Sequence, residues 1–417
     1  MSSSLRLLHT SDWHLGHSLM SRDRRREHGQ FLDWLLDCLR QQQIDVLLVC
    51  GDIFDSAAPP NYALRLFYDF LYRIPSTPCR KVVIIGGNHD SIATLHAPRN
   101  LLQLLQVHVV GGPGTGPEEE LVPILAKDGE TVAIIAAVPF LRDRDLRLSV
   151  AGENHEEKSR ALVAGMAAHY QGVMAAAERL RVSSAPAGRL LPIIATGHLF
   201  VAGGVASEGV RELFVGTLGD MPASVFPAGF DYIALGHLHR AQRIDARIQY
   251  SGSPIPLSFG EAGWQKVVKV VTFSPGEPKP RVEDLQVPCF QRLAVARGNL
   301  AEIRQSLTAL AATSAVDGRI WVEVQVSGAS AAIDPQEEVA AASAELPLDI
   351  LAVRRIREAA SQSFGSAAIG ERLDDLTPED VLGRRLAMEA ELSAEEREEL
   401  LRAFREVLLL LAEEEAP

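Results

Sequence analysis

The feature that most limits the fold is a set of short runs in which nearly every residue is apolar. They lie at 5–9, 45–50, 81–85, 131–137, 192–196 and 231–235 and are rich in Val, Ile and Leu. A strand exposed on one face alternates apolar with polar residues. A continuous run instead marks a strand buried on both faces, as at the centre of a largely parallel sheet. Between these runs the apolar spacing changes. Phe31, Leu35 and Leu39 recur at helical intervals, as do Leu64, Phe67 and Leu71, and the Ala-rich stretch 156–181 reads as one long helix. Strand and helix in alternation up to about residue 273 predict an α/β layered domain. The glycine- and proline-rich segment 111–117 is a loop by composition, and no internal repeat is present.

The pattern changes after the proline-rich stretch 274–280. Strand-like 291–296, helix-like 300–312, alternating 319–326, helix-like 335–344 and strand-like 348–353 make a small α+β unit. Beyond Gly370 the sequence reads as helical throughout. Thr377 stands as an N-cap before Pro378, and Ser393 with Glu396 forms a capping box. The expected domains are 1–275, 281–365 and 371–417, in keeping with roughly 150 residues per domain in a 417-residue chain. Cys38, Cys50, Cys79 and Cys289 show no Cys-x-x-Cys spacing, so neither a zinc knuckle nor a disulfide framework is indicated. No run approaches the roughly 18 apolar residues that span a bilayer, and no signal-peptide core is evident. A soluble, cytoplasmic protein is expected.

The chemically informative residues follow the predicted strands directly. Asp12 and His14 follow the first run, Asp52 and Asp55 the second, and Asn88, His89 and Asp90 the third. His198 follows the fifth, and His237 and His239 the sixth. In open α/β sheets ligands bind beyond the carboxyl ends of strands, so these loops can converge despite their separation in sequence. Asp and Asn offer oxygens, His offers neutral nitrogen, and no thiolate is present to select a soft metal. A His-x-His pair can send one imidazole to each of two ions. Two ions about 4 Å apart clamp the attacking and leaving oxygens of an in-line displacement at phosphorus, and an acidified water then serves as nucleophile. No Ser, Cys or Thr nucleophile is required.

The set D-x-H, G-D-x-x-D, G-N-H-D, G-H and G-H-x-H resembles the signature of calcineurin-like dimetal phosphoesterases. More narrowly, His9-Thr-Ser-Asp-Trp-His-Leu-Gly16, Ile194-Ala-Thr-Gly-His198, the stretch from Asp231 through Gly236-His-Leu-His-Arg240, and Tyr250-Ser-Gly-Ser-Pro-Ile-Pro256 resemble the SbcD family of nuclease subunits. The resemblance covers nearly the whole chain. It implies a layered metallophosphoesterase sandwich, read as two layers, with a small α+β capping domain and a C-terminal helical segment. It implies two divalent cations, with Mn²⁺ the family's usual activator. One would be held by Asp12, His14, Asp52 and His239, the other by Asp52, Asn88, His198 and His237, with Asp52 bridging. His89 would act on the phosphate or protonate the leaving oxygen, and Asp55 would orient His89. The implied activity is exonuclease on double-stranded DNA and endonuclease on single strands and hairpins, in break processing, recombination and replication. The implied assembly pairs a homodimer of nuclease subunits with an SbcC-type coiled-coil ATPase, and no membrane is involved. The chain has no G-x-x-x-x-G-K-[ST] phosphate loop, so ATP would be handled by that partner.

Two other readings stay open. A phosphomonoesterase could use the same centre, although Ser56-Ala-Ala-Pro-Pro60 replaces the Arg-Gly that protein phosphatases of this fold usually carry after the equivalent aspartate. A scaffold that lost its metals is the other, against which the ligand set is complete. Net charge does not decide among them. The total of −13 is concentrated in residues 371–417, where 15 acids face 6 bases, and the preceding residues carry only −4. His9, His96, His108, His155 and His169 are read as structural, and His17 as an accessory to the site or a solvent-facing residue. Asp90 is read as either a cap or a support for the site. The basic clusters at 22–26 and 354–357 are read as solvated. In the last helix Leu400, Phe404, Val407, Leu408 and Leu411 share one face, which by itself would pack against the chain's own helices. The resemblance implies docking on the coiled coil of the ATPase instead, and six apolar residues at 407–412 favour that partner-binding reading.

Overall fold

Each apolar run becomes a strand whose alternate residues enter different cores. In the computed structural model, which describes residues 4–148, 153–184, 191–205, 221–275, 277, 279–313, 318–327, 334–356, 382, 386 and 400–404, the chain divides into compact units Met1–Ile356 and Arg357–Pro417. The first unit begins with β1 (Leu5–Thr10), followed by a short hairpin of β2 (Ser18–Leu19) and β3 (Arg22–Asp23). Strands β4 (Val46–Cys50), β5 (Lys81–Ile85) and β6 (Val107–Val110) then run parallel to β1. The chain moves to a second sheet with β7 (Leu121–Leu125), β8 (Thr131–Ala136), β9 (Ile193–His198), β10 (Tyr232–Gly236), β11 (Gln242–Arg243) and β12 (Ile248–Tyr250). It returns to the first sheet with β13 (Val267–Phe273) and β14 (Arg281–Gln286). The sheet orders are β14-β13-β1-β4-β5-β6 and β11-β12-β10-β9-β8-β7.

The period-two split explains why these strands read as continuous apolar runs. In β4, Leu47 and Val49 face helices Arg25–Gln41 and Asn61–Arg73, in a core that also holds Phe31, Leu35, Phe67 and Leu71. Val46, Leu48 and Cys50 face the other way and meet Ile135, Ile194, Tyr232 and Ala234 of the second sheet. That sheet turns Ile134, Ala195, Ile233 and Leu235 outward onto the helix His155–Ser184, which brings Met166, Tyr170 and Val173. The result is helix, sheet, sheet, helix. The two-layer expectation is therefore corrected to four layers, because sequence period shows that both faces of a strand are buried but not against what.

The unit after the proline-rich stretch has a core of its own. Strands β15 (Leu293–Gly298), β16 (Ile320–Val326) and β17 (Leu348–Arg355) form a parallel three-stranded sheet with helices Leu300–Ala312 and Pro335–Ser343 as crossovers. Ala296, Leu307, Val322, Val324 and Leu348 pack between sheet and helices. Its other face meets the first sheet's surroundings through Leu293 and Trp321, which join Leu19 of the β2–β3 hairpin and Phe259. Residues 371–417, expected to be helical, lie outside the described residues except positions 382, 386 and 400–404, which are helical. Among the described residues no helix is long and apolar enough to cross a membrane.

Candidate metal centre

The parallel strands β1, β4, β5, β9 and β10 deliver their following loops to one edge of the sandwich. The loops after β1 and β4 are stitched together there. Asp12 N–H donates to the Gly51 carbonyl (3.0 Å), His14 N–H to the Asp52 carbonyl (3.0 Å) and Leu15 N–H to the Ile53 carbonyl (2.9 Å). Asp90, buried after β5, ties its own loop to the second: its carboxylate accepts from Gly87 N–H (2.9 Å), Ile53 N–H (3.1 Å) and Phe54 N–H (3.0 Å). Asp90 is thus a structural clamp. Burial, and then the nearby Asp52 charge, raises its pKa to about 6.

This lacing holds backbone that would otherwise relax. Asp12, His14, Asp52 and His237 have φ of 52°, 45°, 50° and 96°, four of the eight non-glycine residues with positive φ among those described. Such geometry costs on the order of 1–3 kcal/mol per residue and persists only where surroundings enforce it. The glycines beside the polar residues serve close approach. A Cβ on Gly87 would collide with the Asp52 carboxylate, and one on Gly236 with the Cys50 carbonyl.

The donor atoms converge. Those of Asp12, His14 and His239 lie within 4.8 Å of one another, and so do those of Asp52, His198 and His237. Asn88 joins the second set, its Oδ1 standing 3.0 Å from His198 Nε2 and 3.1 Å from His237 Nδ1. Asp52 Oδ2 is 3.2 Å from His198 Nε2 and 3.6 Å from His14 Nε2, so one carboxylate lies between the sets. A third group, His14, Asp52 and His89, also falls within 4.8 Å.

Hydrogen bonds on the far side of three of the imidazoles select the free nitrogen. His198 Nδ1 donates to the Cys50 carbonyl (2.9 Å), His14 Nδ1 faces Asp55 Oδ1 (3.2 Å) and His239 Nδ1 faces Glu261 Oε1 (3.0 Å). Each leaves Nε2 toward the cluster, the arrangement by which a neighbouring group fixes tautomer and raises ligand basicity. His14 Nε2 is buried with no hydrogen-bond partner. An orphaned nitrogen among buried carboxylates is what a cation would satisfy, and a donor set of imidazole nitrogens mixed with Asp and Asn oxygens fits a first-row divalent transition-metal ion better than Mg²⁺.

The electrostatics agree with that fit. Burial opposes charge on both His198 and Asp52. Their 3.2 Å contact overrides it, lifting His198 to about 9 and holding Asp52 well below the usual carboxylate range. His237 is pushed down to about 3 by burial and by the His198 charge.

Residues 5–147 match the calcineurin-like phosphoesterase family. Residues 289–390 match the SbcD C-terminal family, described as a type 5 capsule protein repressor C-terminal domain. The chain is 41% identical over 412 residues to the SbcD subunit of the SbcCD nuclease of Escherichia coli (strain K12), covering 98% of this chain and 99% of that protein. The chain belongs to the SbcD family. The SbcD proteins of Rhodobacter capsulatus and Bacillus subtilis are 37% and 36% identical, over 74% and 66% of this chain and 76% and 67% of theirs.

Several supporting residues of this SbcD-family site escaped the sequence reading. Glu261 is buried behind His239, accepts from Leu257 N–H (3.1 Å) and pairs with Lys266 Nζ at 2.5 Å. Ser11 Oγ donates to Asp12 Oδ2 (2.5 Å) and meets Ser251 Oγ (2.8 Å), which explains the serines after β12. Arg24 is not solvated with its basic neighbours. It is buried, paired with Glu27 at 2.6 Å, and donates to the Pro256 carbonyl (2.6 Å).

The contacts of Asp55 divide between its side chain and its main chain. The Asp55 carboxylate engages His14 and His17 (3.0 Å), while His89 Nδ1 donates to the Asp55 backbone carbonyl (2.8 Å). Asp55 therefore orients His89 through its main chain and His14 through its side chain. His17 bridges Asp55 to the Leu257 carbonyl (3.0 Å). The histidines read as structural include His9, bonded to Tyr232 Oη (3.0 Å) and the Leu235 carbonyl (3.1 Å), and His169, paired with Glu120 at 2.9 Å.

Proposed function

We propose that this chain is the metal-dependent nuclease subunit that hydrolyses phosphodiester bonds in DNA, working with an SbcC-type coiled-coil ATPase. The observation that carries the reading is the Asp52 carboxylate, buried between two sets of nitrogen and oxygen donors at the carboxyl ends of two sheets. Asp12, His14, Asp52 and His239 would hold one cation, and Asp52, Asn88, His198 and His237 the other, with Mn²⁺ the proposed ion. When bound, such a pair supplies Lewis-acid stabilisation of the charge developing on a phosphodiester and acidifies a water.

The protein's own part is to fix and to protonate. Asp55, Glu261 and the Cys50 carbonyl hold three imidazoles in one tautomer. His89, half-buried and anchored through Nδ1–H, keeps Nε2 for the leaving oxygen. As an imidazolium it would give up the Nε2 proton to that oxygen and be left as the neutral Nδ1–H tautomer that the Asp55 carbonyl holds. The absence of a phosphate-loop motif assigns ATP hydrolysis to the partner. Two nuclease subunits and the segment 371–417, whose sequence reads as helical, complete the proposed assembly, and the site of action is the cytoplasm.

The test is cleavage of end-labelled hairpin DNA with Mn²⁺, with and without the ATPase and ATP. Mn²⁺-dependent cuts in the hairpin, with ATP-dependent degradation from duplex ends in the complex, are expected. Strong turnover of p-nitrophenyl phosphate with no cut in DNA would replace the reading with a phosphomonoesterase.

A further inference from the structure

A second cavity shares a wall with the metal centre. It measures about 330 Å³, and His239 lines both it and the cluster of metal-binding side chains. Its other walls include Arg240, Ser251, Ser253, Trp264 and Lys266, with Gly263 at the turn. Three features set it apart.

The first is Trp264. Trp13 and Trp34 pack into the first-sheet core and Trp321 into the cluster beside the hairpin, whereas Trp264 joins none of the apolar cores and is only half-buried. Its ring is instead flanked by cations, with Arg240 Cζ and Lys266 Nζ each 5.4 Å from the centroid. The second is charge. Lys266 is neutralised by Glu261, but Arg240 is exposed, and among the described residues no carboxylate pairs with it. The third is backbone. Trp264 N–H closes a tight turn onto the Glu261 carbonyl (3.1 Å), and Gly263 holds φ of +82° with open space where a Cβ would stand. The turn that places Glu261 behind His239 therefore also sets the indole on the cavity rim.

A half-buried indole at the rim of a small cavity, with a guanidinium on its face that no described carboxylate pairs, matches one ligand chemistry, a base with its attached phosphate. Aromatic side chains bind single-stranded nucleic acid by stacking, and Arg adds cation–π and phosphate contacts. We propose that this cavity receives the nucleotide next to the scissile phosphodiester, splayed out of its strand. Its base takes the indole face on which Arg240 now rests, and the guanidinium moves out to a backbone phosphate. The proposal rests on the nuclease reading and deepens it by naming the side chains, Trp264 and Arg240, that would hold an unstacked base beside the cut.

The test uses the full chain with single-stranded oligonucleotides in which an abasic residue is walked past the cleavage site. For the unmodified protein, one position should raise KM by about 5- to 150-fold, the range that alanine scanning gives for one stacked base. Trp264→Ala should raise KM on normal DNA by a similar factor and abolish the abasic penalty, while Trp264→Phe restores most of it. Arg240→Ala should lower the salt dependence of binding by about one counterion, which Trp264→Ala should leave in place. Quenching of 2-aminopurine at the sensitive position, measured without metal, reports the stack independently of cleavage. If the unmodified protein cuts no DNA, the nuclease reading fails; if it cuts but no abasic position matters, or Trp264→Ala loses bound Mn²⁺ instead of raising KM, the base site is wrong.

Discussion

Glu261 separates metal tuning from scaffold stability, because it does both through different contacts. Its Oε1 faces His239 Nδ1 at 3.0 Å, while Oε2 takes the Lys266 ammonium at 2.5 Å and Leu257 N–H at 3.1 Å. Glu261 is 1% exposed and Lys266 7%. Glu261→Gln keeps the shape but leaves a buried ammonium without its counter-charge, a change that costs about 3–5 kcal/mol. Adding Lys266→Met removes that unpaired charge, and replacing a buried pair with apolar volume is often neutral, so most of the loss should return. The metal effect follows a different course. Losing the carboxylate behind a ligating imidazole lowers metal affinity by about 10- to 100-fold, and the second substitution restores none of it. Urea unfolding of the metal-free proteins reads the first quantity, and calorimetric titration with Mn²⁺ the second. Weakening of one of two sites in both variants, with stability recovered only in the double variant, is the expected pattern. Recovery of Mn²⁺ affinity together with stability would show that Glu261 acts on the scaffold alone.

Two further outcomes follow. His89→Ala should keep both cations yet lose cleavage by about 10²- to 10⁴-fold, the usual contribution of a positioned proton donor; loss of a cation, read by metal analysis of the purified variant, would make His89 a ligand. His9 is held neutral, its pKa lowered from 6.5 to about 3 by burial and then by the Lys269 charge. Below pH 6.5 the unfolded chain binds a proton that the folded chain refuses, so this group removes stability as pH falls, by up to about 1.4 kcal/mol per pH unit until its folded pKa is reached. His9→Asn should reduce the slope of unfolding free energy against pH between pH 6 and pH 4, and an unchanged slope would refute the assignment.

The sequence exposed those parts of the structure that depend on near neighbours. Strands β1, β4, β5 and β10 were legible because burial on both faces leaves a continuous apolar run, and Asp12, Asp52, Asn88 and His237 because each follows such a run directly. The four-layer stacking was not legible, since Leu47 and Leu48 look alike in sequence although one faces helices and the other the second sheet. Glu261 was missed for a related reason. It lies 22 residues beyond His239 on a short turn with no spacing rule, and only the fold reveals the contact. Arg24 is indistinguishable in sequence from the solvated arginines around it, because its partner, the Pro256 carbonyl, is 232 residues away. Asp55 was recognised, but the choice between its carboxylate and its carbonyl as the contact to His89 depends on loop geometry rather than residue type.

The central claim is a centre for two cations built on one shared carboxylate. Anomalous scattering at the manganese edge, from crystals grown with Mn²⁺, tests it directly. Two peaks should appear, one beside Asp12, His14 and His239 and one beside Asn88, His198 and His237, both in contact with Asp52. A single peak, or two that leave Asp52 uncoordinated, would contradict the account.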